Sequence, residues 1–198
     1  MASADEVRIS VVDAARAMFR ARGYLGTTMK GVAAAAGVAP EVVRRYYDNK
    51  ETLFAAVLQL RVDPAAAIPR LLAPGLDGMG ERLVRFVLDT LGDPSAREDL
   101  IGLFQSGAAA GRAAGPIAEF LQESVIDRVV KVLGVPDARL RVGLITSFLV
   151  GILVSRYIMK VEPLASMPED DLVRLLAPTV QDWLTPTRPL PGVRGNRS

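Results

Sequence analysis

Apolar residues recur at spacings of three and four along most of the chain, the period of helices with one buried face. Val7, Val11, Val12, Ala15, Met18 and Phe19 mark a helix over residues 5–22, with Arg8, Arg16, Arg20 and Arg22 between them and Gly23 as its stop. Thr28 precedes Met29-Lys30-Gly31-Val32-Ala33-Ala34-Ala35-Ala36 as an N-cap, because its hydroxyl can accept from an orphan N–H of the first turn. Gly37 closes this second helix, 29–36. Pro40 opens a third, 40–46, since the first helical position has no use for the N–H that proline lacks. Asp48-Asn49 is a turn, and Lys50 begins a fourth helix through Leu53, Phe54, Val57 and Leu58.

The same period continues downstream. Pro64, Pro74-Gly75 and Gly78 to Gly80 read as a loose connection. Val84, Val87, Leu88 and Leu91 mark a helix over 81–91, and Pro94 opens another with Leu100, Leu103 and Phe104. The Ala/Gly-rich run 107–115 reads as a loop or interruption. A helix over 117–133 places Ile117, Phe120, Leu121, Val125, Val129 and Val132 on one side, and Gly134 stops it. A long helix runs from Asp137 to Lys160, and Pro168 opens a last one ending near Leu184. The tail 186–198, rich in Pro and Arg, is expected to be a disordered basic segment. No alternating β-branched run argues for a sheet, so the expected fold class is all-α.

One spacing within this pattern is specific. Ala33, Gly37 and Val43 give a small residue, a turn glycine four on and an apolar residue six further. In a helix-turn-helix the small residue lets two helices approach, the glycine takes the tight turn, and the apolar residue pins the second helix. Helices this short need the first and fourth helices to pack on.

Composition narrows the chemistry. The chain holds 198 residues, half of them hydrophobic and 23% charged, which suits a folded chain. With no Cys and no His, thiolate nucleophiles, disulfides, Cys/His zinc sites and His-based triads are excluded. Absence of Cys suits a reducing cytoplasm, and the polar start MASADEVR has no secretory pattern. Residues 1–50 hold 8 Lys/Arg against 5 Asp/Glu, whereas residues 51–187 hold 13 against 17. A positive head on a negative body suits docking of one end on phosphates. Between Arg141 and Arg156 lie 14 uncharged residues. A spanning helix needs roughly 18, so a buried helix and no membrane are expected.

The segments Val11-Val12-Asp13-Ala14-Ala15, Phe19-Arg20-Ala21-Arg22-Gly23-Tyr24, Thr27-Thr28-Met29, Val32-Ala33, Ala36-Gly37-Val38, Tyr46-Tyr47 and Asn49-Lys50-Glu51-Thr52-Leu53 resemble the DNA-binding domain of the tetracycline-repressor (TetR) family. Residues Arg156-Tyr157 and Val161-Glu162-Pro163-Leu164-Ala165-Ser166 resemble one subgroup of its C-terminal domains. The resemblance implies a helix-turn-helix domain over 1–50 and a helical regulatory and dimerisation domain over 51–185. It implies a homodimer on double-stranded operator DNA, usually a repressor released by a small-molecule effector, in the cytoplasm and without a cofactor or metal. Departures lie on the reading helix. Ala39 stands where a capping Ser or Thr is common, Glu41 and Val42 replace small polar residues, and Arg44 replaces a frequent Tyr.

At about 100° per residue, Val43 and Tyr47 face the core and leave Glu41, Val42, Arg44 and Arg45 for a DNA groove. Arg can reach guanine O6 and N7, Glu can accept from cytosine N4, and Val can touch a thymine methyl. Thr27, Thr28, Tyr46 and Lys50 match the family's phosphate contacts, and Lys30 is counted with them. Gly143, Ser147, Gly151 and Ser155 form a small-residue row that, with helix 168–184, suits a four-helix dimer interface. A pocket among helices 81–160 could use Phe86, Phe104, Phe120 and Tyr157 with Arg156, although each is also ordinary core or interface, and no ligand residue is assigned. Two rival classes remain: a helical scaffold without ligand response, and a helical enzyme using Glu119 or Glu162 as acid or base.

Overall fold

The computed structural model describes residues 3–60, 64–90, 94, 97–98, 101–102 and 115–185. The expected residues Leu100, Leu103 and Phe104, the loop 107–114 and the tail 186–198 lie outside the described residues. Among the described residues all regular structure is helical.

The helices among the described residues are α1 (Ala4–Arg22), α2 (Met29–Ala35), α3 (Pro40–Tyr46), α4 (Lys50–Val57), α5 (Pro64–Leu72), α6 (Met79–Thr90), α7 (Pro116–Phe120), α8 (Asp127–Leu133), α9 (Ala138–Leu153) and α10 (Glu169–Leu184). Leu121–Ile126 and Val154–Ile158 are π-helical turns that follow α7 and α9. Two compact units emerge, one of residues 1–67 and 90–125, the other of 68–89 and 126–198.

The first unit packs Val11, Ala15 and Phe19 of α1, Val32 and Ala33 of α2, Val43 of α3, and Leu53, Phe54 and Val57 of α4 into one core. Tyr24 and Phe120 complete it. The boundary expected at 50/51 therefore moves, because α4 shares the core of the head. Phe120, a candidate pocket aromatic, belongs to this core as well, with its ring 5.4 Å from Tyr24 and 4.8 Å from Phe54. Local signals begin these helices. Ser3 and Glu6 form a reciprocal capping box at α1, as do Asn49 and Thr52 at α4.

In the second unit Met79, Val84 and Leu88 of α6 meet Val142, Ile145 and Leu149 of α9 and Leu172, Leu176 and Val180 of α10. Gln181 ties α10 to α6, accepting from the Gly80 N–H at 2.8 Å and donating to the Leu76 carbonyl at 2.9 Å. Arg85 bonds Glu81 and Asp170, and that guanidinium holds the Asp170 carboxyl below its usual range. Arg141, although nearly fully buried, is satisfied by a 2.9 Å bond from Nε to the Pro136 carbonyl. In the Arg156 to Ser166 motif, Arg156 donates to the Leu164 carbonyl and Ser166 donates to Glu162.

Three elements differ from the sequence expectation. Residues 64–72 form a helix rather than a loose connection: Pro64 suits its first position, Ala65-Ala66-Ala67-Ile68 favours helix, and Pro69, inside the helix, removes one backbone donor from the ladder. The 117–133 helix carries the first π turn, which shifts its phase. Leu133 is therefore buried while Val132 is 62% exposed, the reverse of the expected face. Helix 137–160 stays α-helical only to Leu153. It was expected to be buried, yet only 22% of the most apolar stretch of Ala138–Ile158 is buried.

Candidate nucleic-acid interface

The head positions its reading helix through short local interactions. Thr28 caps α2, its hydroxyl accepting from the Gly31 N–H at 3.1 Å. The chain then turns on Gly37, at φ +68°. The Val38 N–H reaches the Ala33 carbonyl at 3.0 Å, and the Ala36 N–H reaches Val32 at 2.9 Å. A Cβ at residue 37 would meet no atom, so the backbone angle rather than crowding requires glycine. Ala33 and Val43 are fully buried on either side of this turn.

These anchors orient α3. Val43 and Tyr47 face inward, while Glu41, Arg44 and Arg45 are exposed and Val42 is half-buried. Three charged side chains and one valine therefore share the outward part of a helix only seven residues long. Ala39 holds the N-cap position without a side-chain bond, as its missing hydroxyl dictates. Burial raises the Tyr47 phenol above its ordinary value, and the charge of Arg8 partly offsets this.

The expected phosphate contacts divide. Thr28 and Lys30 are exposed on α2, and Tyr46 is half-buried with its hydroxyl 3.4 Å from the Ala4 carbonyl. Thr27 is not among the outward hydroxyls: it is 1% exposed and donates to the Gly23 carbonyl at 2.7 Å. Lys50 folds back, its Nζ donating to the Tyr24 carbonyl at 3.1 Å and lying 4.1 Å from the Tyr24 ring centre. Both residues shape the α1–α2 connection from within.

Sequence reasoning also missed partners of that connection. The Leu25 N–H donates to Glu119 Oε2 at 2.9 Å, and Tyr24 Oη lies 3.1 Å from Ser124 Oγ. No local pattern could have signalled contacts between residues 94 and 100 positions apart. The Ser3/Glu6 and Asn49/Thr52 boxes, by contrast, follow a readable spacing of three.

Two family models match the chain. "Bacterial regulatory proteins, tetR family" covers residues 11–57, the segment that builds this head, and "Tetracyclin repressor-like, C-terminal domain" covers 77–184. The chain belongs to the TetR family. A TetR-family regulator from Streptomyces coelicolor A3 is 31% identical, with 90% of this chain and 94% of that one covered and a TM-score of 0.53. NalD, the secondary repressor of the MexAB-OprM multidrug efflux pump in Pseudomonas aeruginosa, shares the fold at 19% identity. There 93% of this chain and 98% of that one are covered, with a TM-score of 0.50. No match was found among curated protein sequences.

As a TetR-family member the chain is a DNA-binding transcriptional regulator. Regulators of this family are generally non-enzymatic. The two carboxylates weighed for acid–base work are engaged locally: Glu119 accepts from the Leu25 N–H, and Glu162 accepts from the Ser166 hydroxyl at 2.6 Å.

Proposed function

We propose that the chain is a homodimeric, cytoplasmic repressor that reads operator DNA through α3 and is released by a small-molecule effector. One observation carries the DNA reading. The Gly37 turn and the buried Val43 and Tyr47 hold α3 so that Glu41, Arg44 and Arg45 are exposed together, with Val42 beside them. Such a set can report donors, acceptors and a methyl group in a major groove. Thr28, Lys30 and Tyr46 supply hydroxyls and charge for phosphates.

The homodimer rests on α9 and α10. Ser147 and Gly151 are exposed, and a Cβ at Gly143 or Gly151 would meet nothing within the chain. Together with Ser155 they form a row at every fourth residue, along which another helix can approach closely. Leu175 of α10 is 58% exposed. An uncovered apolar helix beside an exposed leucine favours a two-fold, four-helix interface. The sense of regulation follows NalD, whose name describes a repressor. No residue is assigned to the effector.

The test is selection of bound fragments from the source genome, followed by a metabolite screen for release of the best fragment. Enrichment of one short palindromic sequence and its release by a metabolite are expected. Recovery of unrelated fragments would count against operator reading, and absence of any releasing compound against the effector.

A further inference from the structure

We propose that Glu119 and Ser124 are positioning residues for DNA binding: they fix the α1–α2 connection, and through it the helix-turn-helix, in the geometry that fits the operator. The inference rests on the regulator reading above and adds two residues that lie outside α1 to α4.

The connection between α1 and α2 is short, so its course sets where α2 starts and, through the Gly37 turn, where α3 points. Among the described residues, these side-chain hydrogen bonds hold it. Thr27 donates to Gly23 at 2.7 Å and Lys50 to Tyr24 at 3.1 Å, both from within the head. The other two come from downstream: Glu119 accepts the Leu25 N–H at 2.9 Å, and Ser124 pairs with the Tyr24 hydroxyl at 3.1 Å. All these residues belong to one compact unit.

The downstream pair fits its target closely. A Cβ at residue 23 would stand 2.8 Å from Glu119 Oε2, so the carboxylate occupies the space that Gly23 leaves empty. Gly23 also takes φ +78°, which a side chain would resist. Between Glu119 and Ser124, the Phe120 ring packs edge-on against the Tyr24 ring. Tyr24 and Ser124 are both buried, so removing either hydroxyl takes a buried hydrogen bond from the other.

The π turn explains how one strip of helix delivers both groups. Glu119 and Ser124 are five residues apart, which on a regular α-helix separates them by about 140°. The π-helical turn Leu121–Ile126 closes its hydrogen bonds over five residues rather than four and brings such a pair nearer to one side. The irregularity therefore sits where two polar groups must converge on Tyr24-Leu25.

The wild-type protein is compared with its Glu119→Ala, Glu119→Gln, Ser124→Ala and Tyr24→Phe/Ser124→Ala variants. Affinity is measured for the selected operator and for random duplex at fixed salt, below each variant's melting temperature. Glu119→Ala is expected to lose about tenfold in operator affinity, the factor one charge-assisted hydrogen bond carries, with little change on random duplex. Glu119→Gln keeps an acceptor for the Leu25 N–H and is expected to retain affinity within about threefold. Ser124→Ala is expected to lose operator affinity, and adding Tyr24→Phe is expected not to restore it. Wild-type operator affinity in Glu119→Ala, equal loss in both Glu119 variants, or recovery in the double variant overturns the proposal. Failure of the regulator reading is distinguishable, because wild type itself would then bind operator and random duplex alike.

Discussion

Lys50 lies over the Tyr24 ring, its Nζ 4.1 Å from the ring centre, and donates to the Tyr24 carbonyl at 3.1 Å. This lysine begins α4, yet its charge is held against the α1–α2 connection rather than directed outward. Lys50→Ala removes a cation–π contact and a charged hydrogen bond together. A stability loss of about 1–2 kcal/mol is expected in urea melts. The slope of log affinity against log salt should stay as in wild type, because no phosphate contact is lost. A slope smaller by about 0.9 would instead return Lys50 to the phosphate-binding set.

Arg44 and Arg45 are both exposed on α3, whereas Val43 is fully buried. Replacing either with Ala should cost about 1–3 kcal/mol on the operator and relax preference at one or two base positions. Binding to randomised operator libraries reads this directly. Uniform weakening over all sequences would reassign that arginine to the backbone.

Gly37 turns the chain at φ +68°, with open space where a Cβ would stand. Gly37→Ala therefore isolates the cost of the left-handed backbone, about 1–2 kcal/mol. Thermal melts followed by far-ultraviolet circular dichroism should show the loss. An unchanged melting temperature would mean that this turn does not need glycine.

The head was legible in the sequence because its determinants are local. The Thr28 cap, the Gly37 turn and the Ala33 and Val43 anchors all act within 16 residues, and the structure sets each in its expected place. Contacts between distant segments were not legible. Lys50 reads as a free charge until Tyr24, 26 residues earlier, lies beneath it, and Glu119 shows no link to Leu25, 94 residues earlier. The downstream phase was lost for a different reason. One π turn rotates every later residue, so a face counted from Ile117 arrives at Val132 when Leu133 is the buried residue. Helix α5 was hidden by its prolines: Pro64 opens the helix, while Pro69 stands inside it at the loss of one backbone donor.

Tyr47 gives the head an alkaline limit. Burial raises its phenol above the ordinary value near 10, with Arg8 pulling the other way. A group whose pKa is raised by folding stabilises fully below its unfolded value, and that contribution fades as pH climbs through the folded value. Stability should therefore fall above about pH 10. Tyr47→Phe should flatten that limb, and an identical alkaline profile in the variant would assign the limit elsewhere.

Gly151 is exposed on α9, and a Cβ there meets nothing in its own chain. Gly151→Glu should leave the fold of a single chain intact while placing a carboxylate in the proposed helix–helix seam. Sedimentation or light scattering should then report a monomer with helical content close to wild type. A dimer of unchanged strength would move the interface off this row.

The central claim is that α3 reads a specific duplex. The most direct test is titration of the wild-type protein with its selected operator and with random duplex, each over a range of salt. The operator should bind at least about 1,000-fold tighter at physiological salt, and both affinities should fall linearly on log–log axes. Equal affinities for the two duplexes at every salt concentration would contradict the account.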